Sequence, residues 1–580
     1  MKKTFLLSCL MLAAMPVMAA YTGHVYVDKN KNGVFDQSEK PLAGIKVSDG
    51  LNVVETAADG SFTLPGHERE RFIFITTPSG YKTFNRHYHK IEKKQSGYDF
   101  GLIPYSGRIR KDGSHRYIHI TDTEIFNTEN HADWVNNVRD YARNEQAAFI
   151  IHTGDICYEK GLKAHIKLMN TENMDCPVFY CIGNHDLVKG KYGEELFESI
   201  YGPVYYSFDA GNVHYVVTPM PGGDHAPGYT SDDVCRWLKN DLAHIRPGTP
   251  VVVFNHDLLT YEDTFIFKSK NAGSINLNEY NLKAWVYGHW HINYMKKQGD
   301  VYSVCTSSLD KGGIDHSTTA FRVMHVDSKG DFTSELRYTY LDKNICIASP
   351  AGVMASGVLP VAVNVYSSVS PVREVLYTCL ADGKPVLKNK RLLQSTDWSW
   401  NGELPLSHKY VGKELTLRVT ARFNNGEIAE AESNFICRTE KAVPLFSADW
   451  DNLSGNAKHS TPVSAPLNLP LQLAWTNNVG ANLYMTSPLI HKGKVIVASV
   501  DEDLKGAGHV YALNGKDGTI LWSCPVRNSI KNSIAVDSDI VFAQDAQGFL
   551  YAIDTETGKL CWEKQLPVNG LPALIDGLVA

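Results

Sequence analysis

Between residues 21 and 106, apolar and polar positions alternate with period two. Gly23-His24-Val25-Tyr26-Val27 and Arg71-Phe72-Ile73-Phe74-Ile75 are two such runs, separated by Gly, Asp, Asn and Pro turns. That alternation predicts half-buried strands and a β-sandwich. The pattern changes over 107–345. Short apolar runs at Arg116–Ile120, Ala148–His152, Val178–Ile182, Val251–Phe254 and Ala284–Tyr287 alternate with helix-like stretches at Trp134–Gln146 and Asp232–Ile245. This predicts a layered α/β domain. Residues 346–440 return to strand patterning, as in Val361–Tyr366 and Leu415–Val419, and read as a second β-sandwich. Arg438–Leu469, rich in Ser, Pro and Asn, reads as linker and loops. The fold expected is multidomain α+β, with the α/β sandwich in the middle.

The last part, 441–580, contains a repeat after its linker. His509-Val510-Tyr511-Ala512-Leu513-Asn514 leads through Asp517-Gly518 to Trp522. Phe549-Leu550-Tyr551-Ala552-Ile553-Asp554 leads through Thr557-Gly558 to Trp562, and Ala474-Trp475 fits the end of the same pattern. The period is that of one four-stranded propeller blade. These stretches resemble pyrroloquinoline-quinone-type β-propeller repeats, which implies a fold more than a cofactor. About three blade lengths are present where closure needs about 4–8, so a partial propeller is expected. Leu571–Ala580 reads as the opening strand of another blade, with self-association or recognition through the propeller as its consequence.

Composition adds little beyond this. Of the 580 residues, 43% are hydrophobic and 21% charged, and the formal net charge is −6, so no global attraction to nucleic acid or anionic membrane is expected. Residues 1–20 change the picture more. Lys2 and Lys3, the apolar stretch Phe5–Ala14 and the Val17-Met18-Ala19 cleavage pattern read as a signal peptide. The protein is therefore expected to be exported, periplasmic or at the cell surface, with no transmembrane anchor. An oxidising compartment permits disulfides. Cys176 with Cys181, or pairs among Cys346, Cys379 and Cys437, are open, beside the alternative of buried free thiols.

Five motifs fall in order at the carboxyl ends of the predicted central strands: Asp122-Thr123-Glu124, Gly154-Asp155-Ile156-Cys157-Tyr158, Gly183-Asn184-His185-Asp186, Asn255-His256-Asp257 and Gly288-His289-Trp290-His291. That edge of an α/β sheet is where ligands bind. Carboxylate, amide and imidazole groups suit two divalent ions such as manganese, zinc or iron. The glycines before Asp155, Asn184 and His289 permit tight turns near the metals. Tyr201–Tyr206 and Pro219–Tyr229 are candidate loops above them.

The five motifs together resemble the calcineurin-like metallophosphoesterase family, over roughly 230 residues. The resemblance implies hydrolysis of a phosphorylated small molecule or a phosphodiester by a two-metal-activated hydroxide. Asp155 would bridge both ions. Asp122 and His291 would bind the first, and Asn184, His256 and His289 the second. His185 would act on the transition state or protonate the leaving oxygen, with Asp186 holding its ring. The family's usual Asp-x-His first motif is Asp122-x-Glu124 here. Purple acid phosphatases also lack that histidine and carry a tyrosine three residues after the bridging aspartate, where Tyr158 stands. Glu124, Tyr158 or neither completes the first metal site, with Glu124 preferred because it sits two residues from Asp122. The resemblance also implies that the flanking β regions are companion domains of exported bacterial enzymes. The competing reading is a surface binding protein with a degenerate phosphoesterase scaffold and a recognising propeller.

One further motif lies in the first β region. Asp28-x-Asn30-x-Asn32-Gly33, then Asp36 and Glu39, matches a twelve-residue calcium loop flanked by strands rather than helices.

Overall fold

The computed structural model describes residues 20–439, 449–456, 458, 460, 473–483 and 486–566. The expected leader and the expected final strand lie outside these residues. Residues 21–104 form two facing sheets, one built around Tyr21–Val27 and Phe100–Pro104 and the other around Phe72–Ile75. Val25, Phe62, Ile73, Ile75 and Phe100 fill the space between them.

The centre of the molecule is a pair of sheets. One runs Val178–Tyr180, Phe149–His152, His115–Ile120, Ala320–Val326, Phe332–Tyr338, its first three strands parallel. The other runs Tyr206–Ala210, Val213–Val217, Val251–Phe254, Leu282–Tyr287, Val301–Cys305, Tyr294–Gln298, with four parallel strands in its middle. Because successive side chains in a strand point to opposite faces, each strand serves two layers. Tyr117 and Phe149 face the second sheet, where they meet Phe254 and Tyr215 at ring distances of 5.7 and 5.0 Å. Ile118, Ile120 and Ile150 instead meet Trp134, Val138 and Leu162 of the helices Ala132–Asn144 and Tyr158–Leu168.

The helix Tyr158–Leu168 is absent from the sequence reading. Gly161 weakens its helical signal, yet a Cβ there would lie 2.4 Å from Ile125 O. The glycine lets the loop carrying Asp122 and Glu124 lie directly against the helix. The expected Tyr201–Tyr206 loop is also corrected. Tyr206 is buried and exchanges hydrogen bonds with the Tyr180 backbone, and the Tyr205 hydroxyl donates to Gly50 O. These aromatics join the sandwich core and the first β region instead of overhanging the strand ends.

Two further sheets, built on Val358–Tyr366 and on Glu414–Phe423, enclose Val361, Val363, Val375, Leu417 and Val419. The first of their strands, Asn344–Ser349, starts slightly before the expected boundary. The repeat region holds two four-stranded antiparallel sheets, Leu489–Pro525 and Ala535–Gln565, each strand pairing with the next. Trp475 forms no blade strand among the described residues. It packs on Gly518, and Trp522 packs on Gly558 in the same way. Trp475 Nε1 donates to Gly515 O at 2.9 Å and Trp522 Nε1 to Thr555 O at 3.0 Å.

All ten described cysteines are free thiols. Cys176 lies on the helix side of its sheet and Cys181 between the two sheets, so of the alternatives left open by the sequence these two are buried free thiols divided by the strand that separates them.

Candidate metal centre

The five motifs meet where the two central sheets present their carboxyl edges. Asp122, Glu124, Asp155, Cys157, Tyr158, His289 and His291 all have positive φ, between 42° and 80°. Non-glycine residues adopt this region rarely and at a cost of order 1–3 kcal/mol each. Such a concentration marks loops whose geometry is set by what their side chains converge on. The cross-links are short. Asp122 N donates to Gly154 O at 3.0 Å, Glu124 N to Asp155 O at 3.1 Å and Gly288 N to His256 O at 3.0 Å. The glycines serve this closeness more than turning. A Cβ on Gly183 would fall 2.2 Å from Asp155 Oδ1, and one on Gly288 would fall 1.9 Å from Thr121 Oγ1. Only Gly154 of the three has positive φ.

The donor atoms gather in two overlapping groups. Asp155, His256 and His289 offer atoms within 4.8 Å of one another, and so do Glu124, Asp155 and His185. Asp155 belongs to both. His291 Nε2 lies 3.3 Å from Asp122 Oδ1 and 3.6 Å from Glu124 Oε1. His256 Nε2 is 3.1 Å from Asp155 Oδ2. Two buried atoms, Asn184 Oδ1 and His256 Nε2, have no aligned hydrogen-bond partner. Buried polar atoms are nearly always satisfied. His256 Nε2 faces the Asp155 carboxylate at 3.1 Å, and both it and Asn184 Oδ1 are of types that bind divalent metals. Burial raises the cost of charge on Asp155, but His256 and the His185 backbone N–H hold it in the ionised form. The residues therefore fit a pair of divalent ions.

His185 is held differently from expectation. Its Nδ1 is 2.8 Å from Asp224 Oδ2. Asp186 is fully buried, and its two oxygens accept the backbone N–H groups of Cys157 and Gly183 at 2.8 and 3.0 Å. It ties two motif loops together and does not touch the ring. Asp224 lies in the Pro219–Tyr229 loop, whose Gly, Pro and His content was the only signal for it. Burial opposes charge on His185, but the hydrogen bond it donates to Asp224 and the carboxylates of Asp155, Asp224 and Glu124 raise its pKa. The Tyr158 hydroxyl faces the same Nδ1 at 3.4 Å. Lys311 is a second residue missed in sequence. Its Nζ bonds Glu124 Oε2 at 3.0 Å and Glu124 O at 3.1 Å.

Behind the ligands runs a chain of buried hydrogen bonds. His256 Nδ1 contacts Thr153 O at 2.8 Å, and Thr153 Oγ1 contacts His119 Nε2 at 2.8 Å. His119 Nδ1 contacts Thr306 Oγ1 at 2.8 Å, and Arg322 Nε donates to that hydroxyl at 3.2 Å. Arg322 then pairs with Asp503 of the repeat region at 2.6 Å. Beside it, Lys531 of the repeats bonds Asp315 Oδ2 at 2.5 Å, Glu502 Oε1 at 2.8 Å and Asn293 O at 2.8 Å.

In the first β region, the five candidate calcium residues come together in one loop. Asp28 accepts Asn32 N and Gly33 N, Asp36 Oδ2 accepts the Asn30 and Asn32 amides, and Glu39 accepts Lys29 N and Asp36 N. Oxygen donors so arranged predict that calcium raises the unfolding free energy of the full chain. The expected gain is about 2.7 kcal/mol at a hundredfold excess over Kd. Denaturation with and without a chelator measures it, and Asp28→Asn should abolish the difference.

Three family models match the chain. N terminal of Calcineurin-like phosphoesterase matches residues 29–104, Calcineurin-like phosphoesterase matches 115–293, and Outer membrane protein assembly factor BamB matches 472–575. Purple acid phosphatase 13 of Arabidopsis thaliana is 26% identical over 215 residues, covering 35% of this chain and 36% of that protein. The chain thus spans about a third of that curated relative's length. Among solved structures, a predicted phosphoesterase from Streptococcus pneumoniae matches at 10% identity and a TM-score of 0.19, over 39% of this chain and 98% of its own. BamB from Moraxella catarrhalis matches at 14% identity and a TM-score of 0.12, over 39% of this chain and 67% of its own. The matches thus run in order along the chain: the N-terminal and calcineurin-like phosphoesterase models, then the BamB-like repeat model.

Proposed function

We propose, from the premise that the catalytic domain is a calcineurin-like phosphoesterase, that this chain is an exported enzyme hydrolysing phosphate mono- or diesters at a two-metal centre. The observation that carries the reading is Asp155, shared by two donor groups, facing His256 Nε2 at 3.1 Å and lying beside the unpartnered Asn184 Oδ1. Asp155 would be shared by the two ions, with Asp122, Glu124 and His291 holding the first and Asn184, His256 and His289 the second. When bound, such a pair supplies a nucleophilic hydroxide at neutral pH and two positive charges for the phosphoryl oxygens. His185, oriented by Asp224, stabilises the developing charge or donates a proton to the leaving oxygen. The donor set suits manganese, zinc or iron.

Manganese- or zinc-dependent release of nitrophenol from a phosphate monoester and a diester is the direct test. Neither hydrolysed would leave the binding-scaffold reading standing. His185→Ala should lower kcat about 10²–10³-fold with metal content unchanged, as measured by elemental analysis. Glu124→Ala should reduce the metal content to about one ion per chain, and Glu124→His should restore the second. A coloured protein bleached by Tyr158→Phe would instead assign the first site to a tyrosinate. Export rests on the reading of residues 1–20 and is tested by signal-dependent secretion. The two repeat sheets are read as blades of a partial β-propeller, supported by the repeated seating of Trp475 and Trp522 on turn glycines. Trp562, the next in register, is 45% exposed and offers a surface for recognition or self-association.

A further inference from the structure

The rim of the metal centre is apolar. Within residues 107–343, the exposed large apolar side chains are Phe126, Tyr158, Tyr261, Ile314 and Tyr340. All but Tyr340 stand at the motif loops. Phe126 follows Glu124 by two residues, Tyr158 follows Asp155 by three and Tyr261 follows His256 by five. Ile314 N donates to His291 O at 2.9 Å. Exposed apolar side chains gathered around a polar site suit ligand binding. Here they are also paired. The rings of Phe126 and Tyr158 lie near parallel, 18° apart with centroids 6.3 Å distant. On the loops of the other sheet, Tyr261 stacks on Trp290 at 6.0 Å and 22°. Trp290 is fixed by its Nε1 bond to Asp257 Oδ1 at 3.0 Å.

The two pairs are not equivalent. The Tyr158 ring is 5.4 Å from the His185 ring, with its hydroxyl towards Nδ1. Phe126 is 56% exposed, and its ring centroid lies 6.3 Å from that of Tyr158.

We propose that the substrate is a phosphoester whose leaving group carries a planar aromatic ring, seated on Phe126 and Tyr158. This rests on the phosphoesterase reading and on His185 as the proton donor. Water oxygen forms the new bond to phosphorus and releases a proton. The bond from phosphorus to the leaving oxygen breaks with its electron pair on that oxygen, which takes a proton from His185. Flat ring-on-ring contact is the interaction that exposed stacked aromatics supply and an aliphatic group does not use as well.

Phenylphosphonate and methylphosphonate test this without the differing reactivity of aryl and alkyl leaving groups. Both are measured as competitive inhibitors of nitrophenyl ester hydrolysis by the manganese-loaded full chain. Phenylphosphonate should bind about tenfold tighter. Phe126→Ala should bring the inhibition constants to within about twofold of each other, and Phe126→Tyr should keep the preference. Equal inhibition in the wild type, or an unchanged ratio in Phe126→Ala, overturns the proposal alone. Loss of the preference in Tyr261→Ala but not in Phe126→Ala also overturns it, by moving the ring to the other sheet's loops. Absence of all metal-dependent hydrolysis overturns the phosphoesterase reading beneath it as well.

Discussion

Asp155→Asn is expected to leave the protein folded, nearly metal-free and without measurable phosphoester hydrolysis. The substitution keeps the shape of the side chain and removes one charge and one lone-pair face. Asp155 is 1% exposed and lies in both donor groups. Losing it affects both ions at once. The activity loss should exceed the ~10³-fold typical of removing a single transition-state donor. Elemental analysis separates this from His185→Ala, in which the ions stay and only turnover falls. Retention of two ions per chain in Asp155→Asn would show that the bridge lies elsewhere. The strained backbone gives a second readout. With positive φ at seven residues of these loops, metal binding should stabilise them, and wild-type protein stripped of metal should show faster amide exchange at 122–124 and 155–158 than loaded protein.

How much of this centre was legible depends on where each residue's constraint comes from. That Asp122, Asp155, Asn184, His256, His289 and His291 would converge was readable because metal chemistry restricts residue type and sheet topology restricts place. Each follows a short apolar run, and parallel strands bring such ends to one edge. Asp224 was not readable as a partner of His185, because it arrives from a loop 39 residues away with no periodic pattern of its own. Asp186 was a natural candidate for that role by adjacency. On a tight 3₁₀ turn, adjacent side chains diverge, and Asp186 points back to the loops behind it. The two β-sandwich segments were legible from period two alone. The helix Tyr158–Leu168 was not, since its glycine serves a contact with Ile125 rather than a helix propensity. Positive φ at these loops had only a weak sequence signal, because Asp and His adopt it more readily than most residues but none of the seven is Gly.

The repeat region read as a separate module in sequence, and its contacts argue otherwise. Lys531→Met is expected to destabilise the full chain by about 3–5 kcal/mol, the usual effect of removing one partner from a buried ion pair. Burial alone would favour the neutral amine, but Glu502 and Asp315 hold the ammonium charged. With methionine there, both carboxylates stay in a dry interface without a cation. Urea denaturation measures the loss. Adding Asp315→Asn and Glu502→Gln to Lys531→Met should recover part of it, since the uncompensated charges go as well. The same contact reaches the metals. Lys531 holds Asn293 O, two residues past His291, and Asp315 caps a loop whose Ile314 N–H holds His291 O. Arg322 joins Asp503 to the Thr306–His119–Thr153 line that ends at His256. Both lines support histidines proposed as metal ligands, and loss of such support typically lowers metal affinity ten- to hundredfold. Lys531→Met should therefore raise the metal concentration needed for half-maximal activity, with kcat at saturating metal much less affected. A loss of stability with no change in that metal requirement would make the repeats a prop for the fold alone. A change in both places them within the working structure of the metal centre, and explains why charged residues are buried at this interface where apolar packing would have served stability equally well.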